Sequence, residues 1–90
     1  MKVNPESIEG FLNSQDVVVD AAAFKFETEN HGEILGIAIV LVDESRLNYI
    51  ENKVKTFLSV PMYKIFRVME IPRNENGKID RIELMKIVSK

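Results

Sequence analysis

The feature that most constrains the fold is an apolar segment near the middle of the chain, from Ile34 to Val42. It is interrupted only by Gly36, and it is apolar at both sets of alternating positions. A strand of this kind must be covered on both faces, which helices can do. The segment is also far shorter than the about 20 apolar residues that a membrane helix needs. It therefore predicts a strand between layers of helices, without membrane insertion.

The residues before this strand predict a helix and a partner strand. Asn4 is placed to cap a helix whose first residue is Pro5, since proline lacks the N–H that would be unpaired there. Val17 to Phe26 is rich in β-branched and aromatic residues and predicts a strand. The turn residues 29–32 then favour antiparallel pairing with the apolar strand. The first helix should end near Asn13, and its buried stripe should be Ile8, Phe11 and Leu12.

The residues after it predict a helix, a strand and a final helix. Asp43 to Val60 predicts a helix that Pro61 stops, and Tyr63 to Ile71 alternates as a third strand does. Asp80 caps the last helix, with Glu83 three residues on as in a capping box. The predicted buried residues are Leu47, Ile50, Val54, Phe57 and Leu58 in one helix, and Ile82, Met85 and Val88 in the other. The order αββαβα predicts an α+β fold with a three-stranded sheet flanked by helices.

Size and charge narrow the possible functions. The chain has 90 residues and forms a single domain, which buries about 60–65% of its unfolded surface and leaves no room for a deep internal active site. Its net charge of −2 offers no electrostatic case for nucleic acid. It has no cysteine, which excludes disulfides and thiolate metal sites and is compatible with a cytoplasmic location.

The segment from Pro72 to Arg81, which joins the third strand to the last helix, carries the candidate chemistry. Asn76 and Gly77 favour a tight turn, and Lys78 follows directly. The lysine is therefore held on a short loop with both ends fixed. Its ammonium group is a point charge with three donors, which suits a carboxylate or a phosphate. From the residues alone, the competing interpretation is an ordinary solvated surface lysine.

Two known types of binding loop share residues with this segment. A phosphate-binding loop requires glycine where Pro72 stands and Ser or Thr where Ile79 stands, so it is rejected. A calcium loop is closer, because Gly77 would occupy its sixth position. Pro72, however, offers no side-chain oxygen at the first position, and the preceding segment predicts a strand instead of the entering helix. The residues that would fall on ligand positions are Asn74, Asn76, Asp80 and Glu83.

The same segment resembles a family motif. Ile71 to Leu84 is similar to the last conserved motif of the ANL superfamily, roughly L-P-x-T-x-N-G-K-[IV]-D-R-x-x-L. This superfamily comprises acyl-CoA synthetases, adenylation domains of nonribosomal peptide synthetases, and luciferases. Ile71 replaces the family's leucine, and Asn74 stands where threonine is common. Two supporting segments, Lys2 to Glu9 and the turn His31-Gly32-Glu33, extend the resemblance over essentially the whole chain.

The resemblance implies that residues 1–90 are the C-terminal lid domain of an ATP-dependent, AMP-forming acyl-CoA synthetase. A large N-terminal domain would bind ATP, magnesium and a carboxylic acid, and the lid would bind none of them alone. Lys78 would be the catalytic residue of acyl-adenylate formation and would contact the nucleotide together with Gly77 and Asn76. The lid would then rotate and help to form a channel for the thiol of CoA or of a carrier-protein pantetheine. No residue of the lid is expected to bind metal.

Several alternatives stay open at this point. The chain could be the lid of a peptide-synthetase adenylation domain, or a stand-alone interaction module that regulates a partner in trans. The sequence determines neither the acid nor the acceptor. Its abrupt start on a family motif favours a piece of a longer chain over a natural stand-alone domain, and the isolated chain is not expected to be active.

Overall fold

The structure, a computed structural model, describes residues 4–58 and 62–89. Within them the order of elements is the predicted αββαβα, with one additional 3₁₀ turn at Glu44–Arg46. The elements are α1 (Pro5–Asn13), β1 (Val18–Thr28), β2 (Gly32–Leu41), α2 (Leu47–Phe57), β3 (Tyr63–Arg67) and α3 (Arg81–Val88). The predicted α+β class is confirmed.

The sheet places the apolar strand at its centre. The strand order is β1-β2-β3; β1 and β2 pair antiparallel, whereas β2 and β3 pair parallel. A parallel pair needs a crossover connection, and α2 provides it. The turn between β1 and β2 uses Gly32 at φ 67°, a left-handed conformation that glycine adopts without steric cost.

Both faces of the sheet are covered, as the apolar segment predicts. One face packs against α1 and α2. The other packs against α3 and against Ile71, the residue before the segment from Pro72 to Arg81. The first core consists of Ile8, Leu12, Val18, Ala21, Ala23, Leu35, Ile37, Ile39, Ile50 and Val54. The second, smaller core consists of Ala22, Phe24, Ala38, Ile71 and Leu84. The segment from Pro72 to Arg81 therefore lies on the α3 side of the sheet.

The first helix follows its prediction closely. Asn4 caps it, and the Asn4 side chain accepts a hydrogen bond from the N–H of Glu6 at 2.9 Å. Ile8 and Leu12 are buried, and Phe11 is half-buried against the same core.

The second helix and the third strand are shorter than predicted. α2 ends at Phe57, because Leu58 is extended (φ −88°, ψ 135°) and packs against the first core. Phe57 is exposed on one side and stacks on the Phe11 ring, with 4.2 Å between centroids. The predicted continuation to Val60 and the stop at Pro61 lie outside the described residues. β3 ends at Arg67, after which the chain leaves the sheet and Ile71 enters the second core.

The buried face of the last helix differs from the prediction. Ile82 is 75% exposed, whereas Leu84 is completely buried. Met85 and Val88 are half-buried against the second core, as predicted. The face of α3 that packs on the sheet is therefore formed by Leu84, Met85 and Val88, and Ile82 lies outside it.

No helix in the part of the chain that the structure describes is both long enough and apolar enough to cross a membrane.

Candidate functional site

The loop from Pro72 to Asp80 is closed by its own backbone. At its base the N–H of Asp80 donates to the carbonyl oxygen of Pro72 at 2.9 Å. One step further, the N–H of Asn74 donates to the carbonyl oxygen of Lys78 at 2.8 Å. At its tip the N–H of Gly77 donates to the carbonyl oxygen of Asn74 at 3.0 Å. The segment is therefore a narrow hairpin, with Asn74 opposite Lys78.

The side chain of Asn74 fills the interior of this hairpin. Its Oδ1 accepts hydrogen bonds from the N–H of Asn76 at 2.8 Å and from the N–H of Lys78 at 3.1 Å. Gly77 lies at φ 80°, where a side chain would be strained. The peptide groups on both sides of the Lys78 Cα are thus hydrogen-bonded to Asn74.

The predicted site residues all lie at the tip of the hairpin. Asn76, Gly77 and Lys78 are consecutive and exposed at the tip of the hairpin. Among the described residues, 4–58 and 62–89, no group forms a hydrogen bond or a salt bridge with the side-chain amine of Lys78. A Cβ added to Gly77 would meet no atom within 4 Å, so the space beside its backbone is open.

The hairpin is attached to the first strand by an ion pair. The NH2 of Arg73 donates to both carboxylate oxygens of Asp20 at 2.9 Å. Its NH1 donates to the carbonyl oxygen of Gly77 at 3.2 Å. One guanidinium group therefore links the hairpin tip to β1. This pair was not predicted from the sequence, since the two residues are 53 positions apart.

An irregularity in β1 makes this contact possible. The pairing register shifts between Val18 and Asp20. Val18 and Ala21 both pack in the first core, although residues three apart in a regular strand face opposite sides. The shift places Asp20 on the same face as Ala22, which belongs to the second core. It therefore directs the Asp20 carboxylate toward the hairpin.

A second arginine attaches the start of α3 to the same strand. Arg81 Nε donates to the carbonyl oxygen of Ala23 at 2.9 Å, and its NH2 donates to Glu9 Oε2 at 2.8 Å. The same Glu9 oxygen accepts the N–H of Ala23 at 2.7 Å. The ion-pair partner of Arg81 is therefore Glu9 of α1, 72 positions away in the sequence.

The helix cap at the end of the hairpin forms only in part. Asp80 Oδ1 accepts the N–H of Glu83 at 3.0 Å, as predicted for a capping residue. The N–H of Asp80 is bonded to Pro72 and not to the Glu83 side chain, so the reciprocal half of the capping box is missing. The cap still fixes where α3 begins.

The geometry does not suit the calcium-loop alternative. The segment entering the loop follows strand β3 and is not a helix. Asn74 Oδ1, a proposed ligand, is already shared by two backbone N–H groups. Among the described residues no group of three or more His, Cys, Asp and Glu side chains could hold a metal ion.

Fold and loop together define a small α+β domain that presents a lysine on a braced hairpin between a strand and a helix. No family model matches the chain. An acyl-CoA synthetase of Gibberella moniliformis, FUM10, is 32% identical over 89 residues, which are 96% of this chain and 16% of the relative. A 4-coumarate--CoA ligase-like protein 9 of Arabidopsis thaliana is 39% identical over 92 residues, again 96% and 16%.

Solved structures agree with these relatives. A Mycobacterium tuberculosis fatty acyl CoA synthetase superposes with a TM-score of 0.80 at 26% identity, over 99% of this chain and 18% of that one. The chain is homologous to the C-terminal domain of the ANL superfamily of adenylate-forming enzymes, and the predicted family is confirmed. It spans about one-sixth of the length of the curated relatives it matches.

Proposed function

We propose that this chain is the lid domain of an AMP-forming acyl-CoA synthetase and that Lys78 supplies the cation for acyl-adenylate formation. The observation that carries the proposal is the state of Lys78. Its backbone is clamped by two hydrogen bonds to Asn74, while its side chain is exposed and without a partner among the described residues. An amine held in this way is available to anionic groups bound by another domain.

The chemistry needs such an amine. Attack of a carboxylate on the α-phosphate of ATP develops charge on phosphate oxygens, and a preplaced cation lowers that barrier. Lys78 would lie between the two reacting anions and reduce their repulsion. Since the hairpin is already ordered, little reorganisation accompanies this role. Loss of one such donor costs about 3–4 kcal/mol of transition-state stabilisation.

The other parts of the proposal concern the N-terminal domain, the nucleotide and the thiol acceptor. A large N-terminal domain would hold ATP, magnesium and the acid, since 90 residues are too few to enclose sites for all three. Asn76 and Gly77 would lie beside the nucleotide, where the open space at Gly77 lets the backbone approach closely. For thioester formation Lys78 would be withdrawn and the lid would face the thiol. CoA is the proposed acceptor because the relatives are named acyl-CoA synthetase and 4-coumarate--CoA ligase-like. The absence of cysteine is compatible with the cytoplasmic location that we propose as well.

The experiment is complementation. The C-terminal domain of the M. tuberculosis fatty acyl CoA synthetase would be replaced by this chain, and in a second arm the chain would be added in trans to that enzyme without its own lid. Acid-dependent ATP–pyrophosphate exchange should return above the level of the lidless enzyme. The matched Lys78→Ala chain should not restore it.

Two results would contradict the proposal. One is restored exchange with Lys78→Ala equal to that of the unaltered chain. The other is a chain that binds the large domain in a pull-down without restoring exchange in either arm, which would favour an interaction module.

A further inference from the structure

We infer that Asp20 and Arg73 are positioning residues for Lys78, acting as a strut that sets the direction of the hairpin. The inference deepens the proposed function and rests on it for its catalytic consequence. That the pair orients the hairpin rests on contacts within this chain, and it can be tested without an activity assay.

The hydrogen bonds inside the hairpin fix its shape but not its orientation. The contacts between Asn74 and Lys78 all join residues of the loop to one another. Within the described residues, the polar side-chain bond from the hairpin to a distant element is that of Arg73 to Asp20. The angle at which the tip leaves the domain therefore depends on this pair, on the packing of Ile71 and Ile79 beneath it, and on the Arg81 bonds that fix the start of α3.

Arg73 connects Asp20 directly to the tip of the hairpin. The same guanidinium group bonds the carbonyl oxygen of Gly77, the residue directly before Lys78. Its two nitrogens are held in one plane, so fixing one at Asp20 fixes the other at the tip. A displacement of Asp20 would thus move the guanidinium group of Arg73 and, with it, the backbone next to Lys78.

The pair is placed for orientation more than for stability. The Arg73 side chain is 41% exposed and that of Asp20 is 26% exposed. Ion pairs of this exposure add little to folding. A small displacement of a catalytic group, by contrast, costs up to about a hundredfold in rate. Asp20 Oδ1 also accepts the N–H of Ala21 at 2.9 Å, so Asp20→Ala removes a backbone hydrogen bond of β1 as well as the ion pair, whereas Arg73→Ala leaves that bond in place.

The structural test is backbone ¹⁵N relaxation on the chain itself. Asp20→Ala and Arg73→Ala should each lower the order parameter of the Lys78 amide from about 0.85 toward 0.6. Arg73→Ala keeps the bond from the N–H of Ala21 to Asp20, so in that variant the strands should keep their order parameters. The matched control is Glu44→Ala, which removes the exposed Glu44–Arg67 pair (2.9 Å), a contact that includes no residue of the hairpin. Unchanged order at Lys78 in Asp20→Ala would overturn the inference.

The catalytic test uses the grafted synthetase. Asp20→Ala should lower adenylation about 10–100-fold and leave thioester formation from supplied acyl-adenylate nearly unchanged. Arg73→Ala should do the same, and the double variant should be no worse than Arg73→Ala alone, because the two residues act as one unit. A merely structural defect would lower both half-reactions together and would count against the inference.

Parallel measurement of Lys78→Ala separates the two hypotheses. If Lys78→Ala abolishes adenylation and Asp20→Ala does not reduce it, the strut is refuted and the proposed function stands. If Lys78→Ala leaves adenylation intact, the proposed function fails, and relaxation of the Lys78 amide alone decides whether Asp20 orients the hairpin.

Discussion

Replacing Glu9 with alanine should destabilise the domain far more than the loss of a surface ion pair. One oxygen of Glu9 accepts both the N–H of Ala23 at 2.7 Å and the Arg81 guanidinium at 2.8 Å. The Glu9 side chain is only 13% exposed, while that of Arg81 is 42% exposed. Removal of Glu9 therefore leaves two groups without this acceptor, the N–H of Ala23 and the partly exposed guanidinium group of Arg81.

The larger contribution comes from the backbone. Ala23 is completely buried, and an unpaired buried N–H costs about 1–3 kcal/mol. Arg81 keeps contact with water and its bond to the Ala23 carbonyl, so the lost ion pair adds about 0–1 kcal/mol. We expect Glu9→Ala to lower the free energy of unfolding by about 2–3 kcal/mol. Glu9→Gln should cost less, because it retains an acceptor for the N–H of Ala23.

The assay is urea unfolding followed by circular dichroism, with a thermal melt as a second measure. For a domain of this size the expected loss corresponds to about 10–20 °C in Tm. Glu44→Ala serves as the control, since its partner Arg67 and Glu44 itself are both exposed. If Glu9→Ala and Glu44→Ala shift the midpoint equally, water replaces the carboxylate at Ala23 and the reasoning is refuted.

Four further variants test the packing and the turn. Gly36→Ala should cost about 1–3 kcal/mol, because its Cβ would lie 2.6 Å from the Phe24 ring; an unchanged urea midpoint would contradict this. Leu84→Ala should cost about 2–5 kcal/mol and Ile82→Ala less than about 0.5 kcal/mol, and equal losses in the same assay would mean that α3 is rotated. Gly77→Ala should cost about 1–2 kcal/mol because of its φ of 80°, and a thermal melt without a shift would show that the turn relaxes.

The sequence predicts the parts of the fold that are determined locally. The apolar run around Ile37 places the central strand, because burial on both faces leaves no polar position in it. Asn4 and Asp80 mark helix starts, because each accepts a hydrogen bond from an N–H of the first turn. Gly77 before Lys78 predicts the tight turn, because that turn requires a positive φ.

Features that depend on distant partners could not be predicted in this way. Apolar residues lie on several sides of α3, so spacing alone does not choose Leu84 over Ile82 as the buried residue. The partner of Arg81 lies 72 positions away, on α1, and nothing in the sequence distinguishes Glu9 from other acidic residues. The register shift before Asp20 arises only when β1 pairs with β2.

The role of Lys78 in adenylation is tested by comparing Lys78→Ala with Lys55→Ala in the grafted synthetase, since both lysines are exposed. Single-turnover adenylation and thioester formation from supplied acyl-adenylate would be measured separately. Lys78→Ala should slow adenylation by about 10²–10³-fold and spare thioester formation, while Lys55→Ala should leave adenylation unchanged. Equal slowing of both half-reactions by Lys78→Ala, or no slowing of adenylation, would contradict the assignment of this lysine.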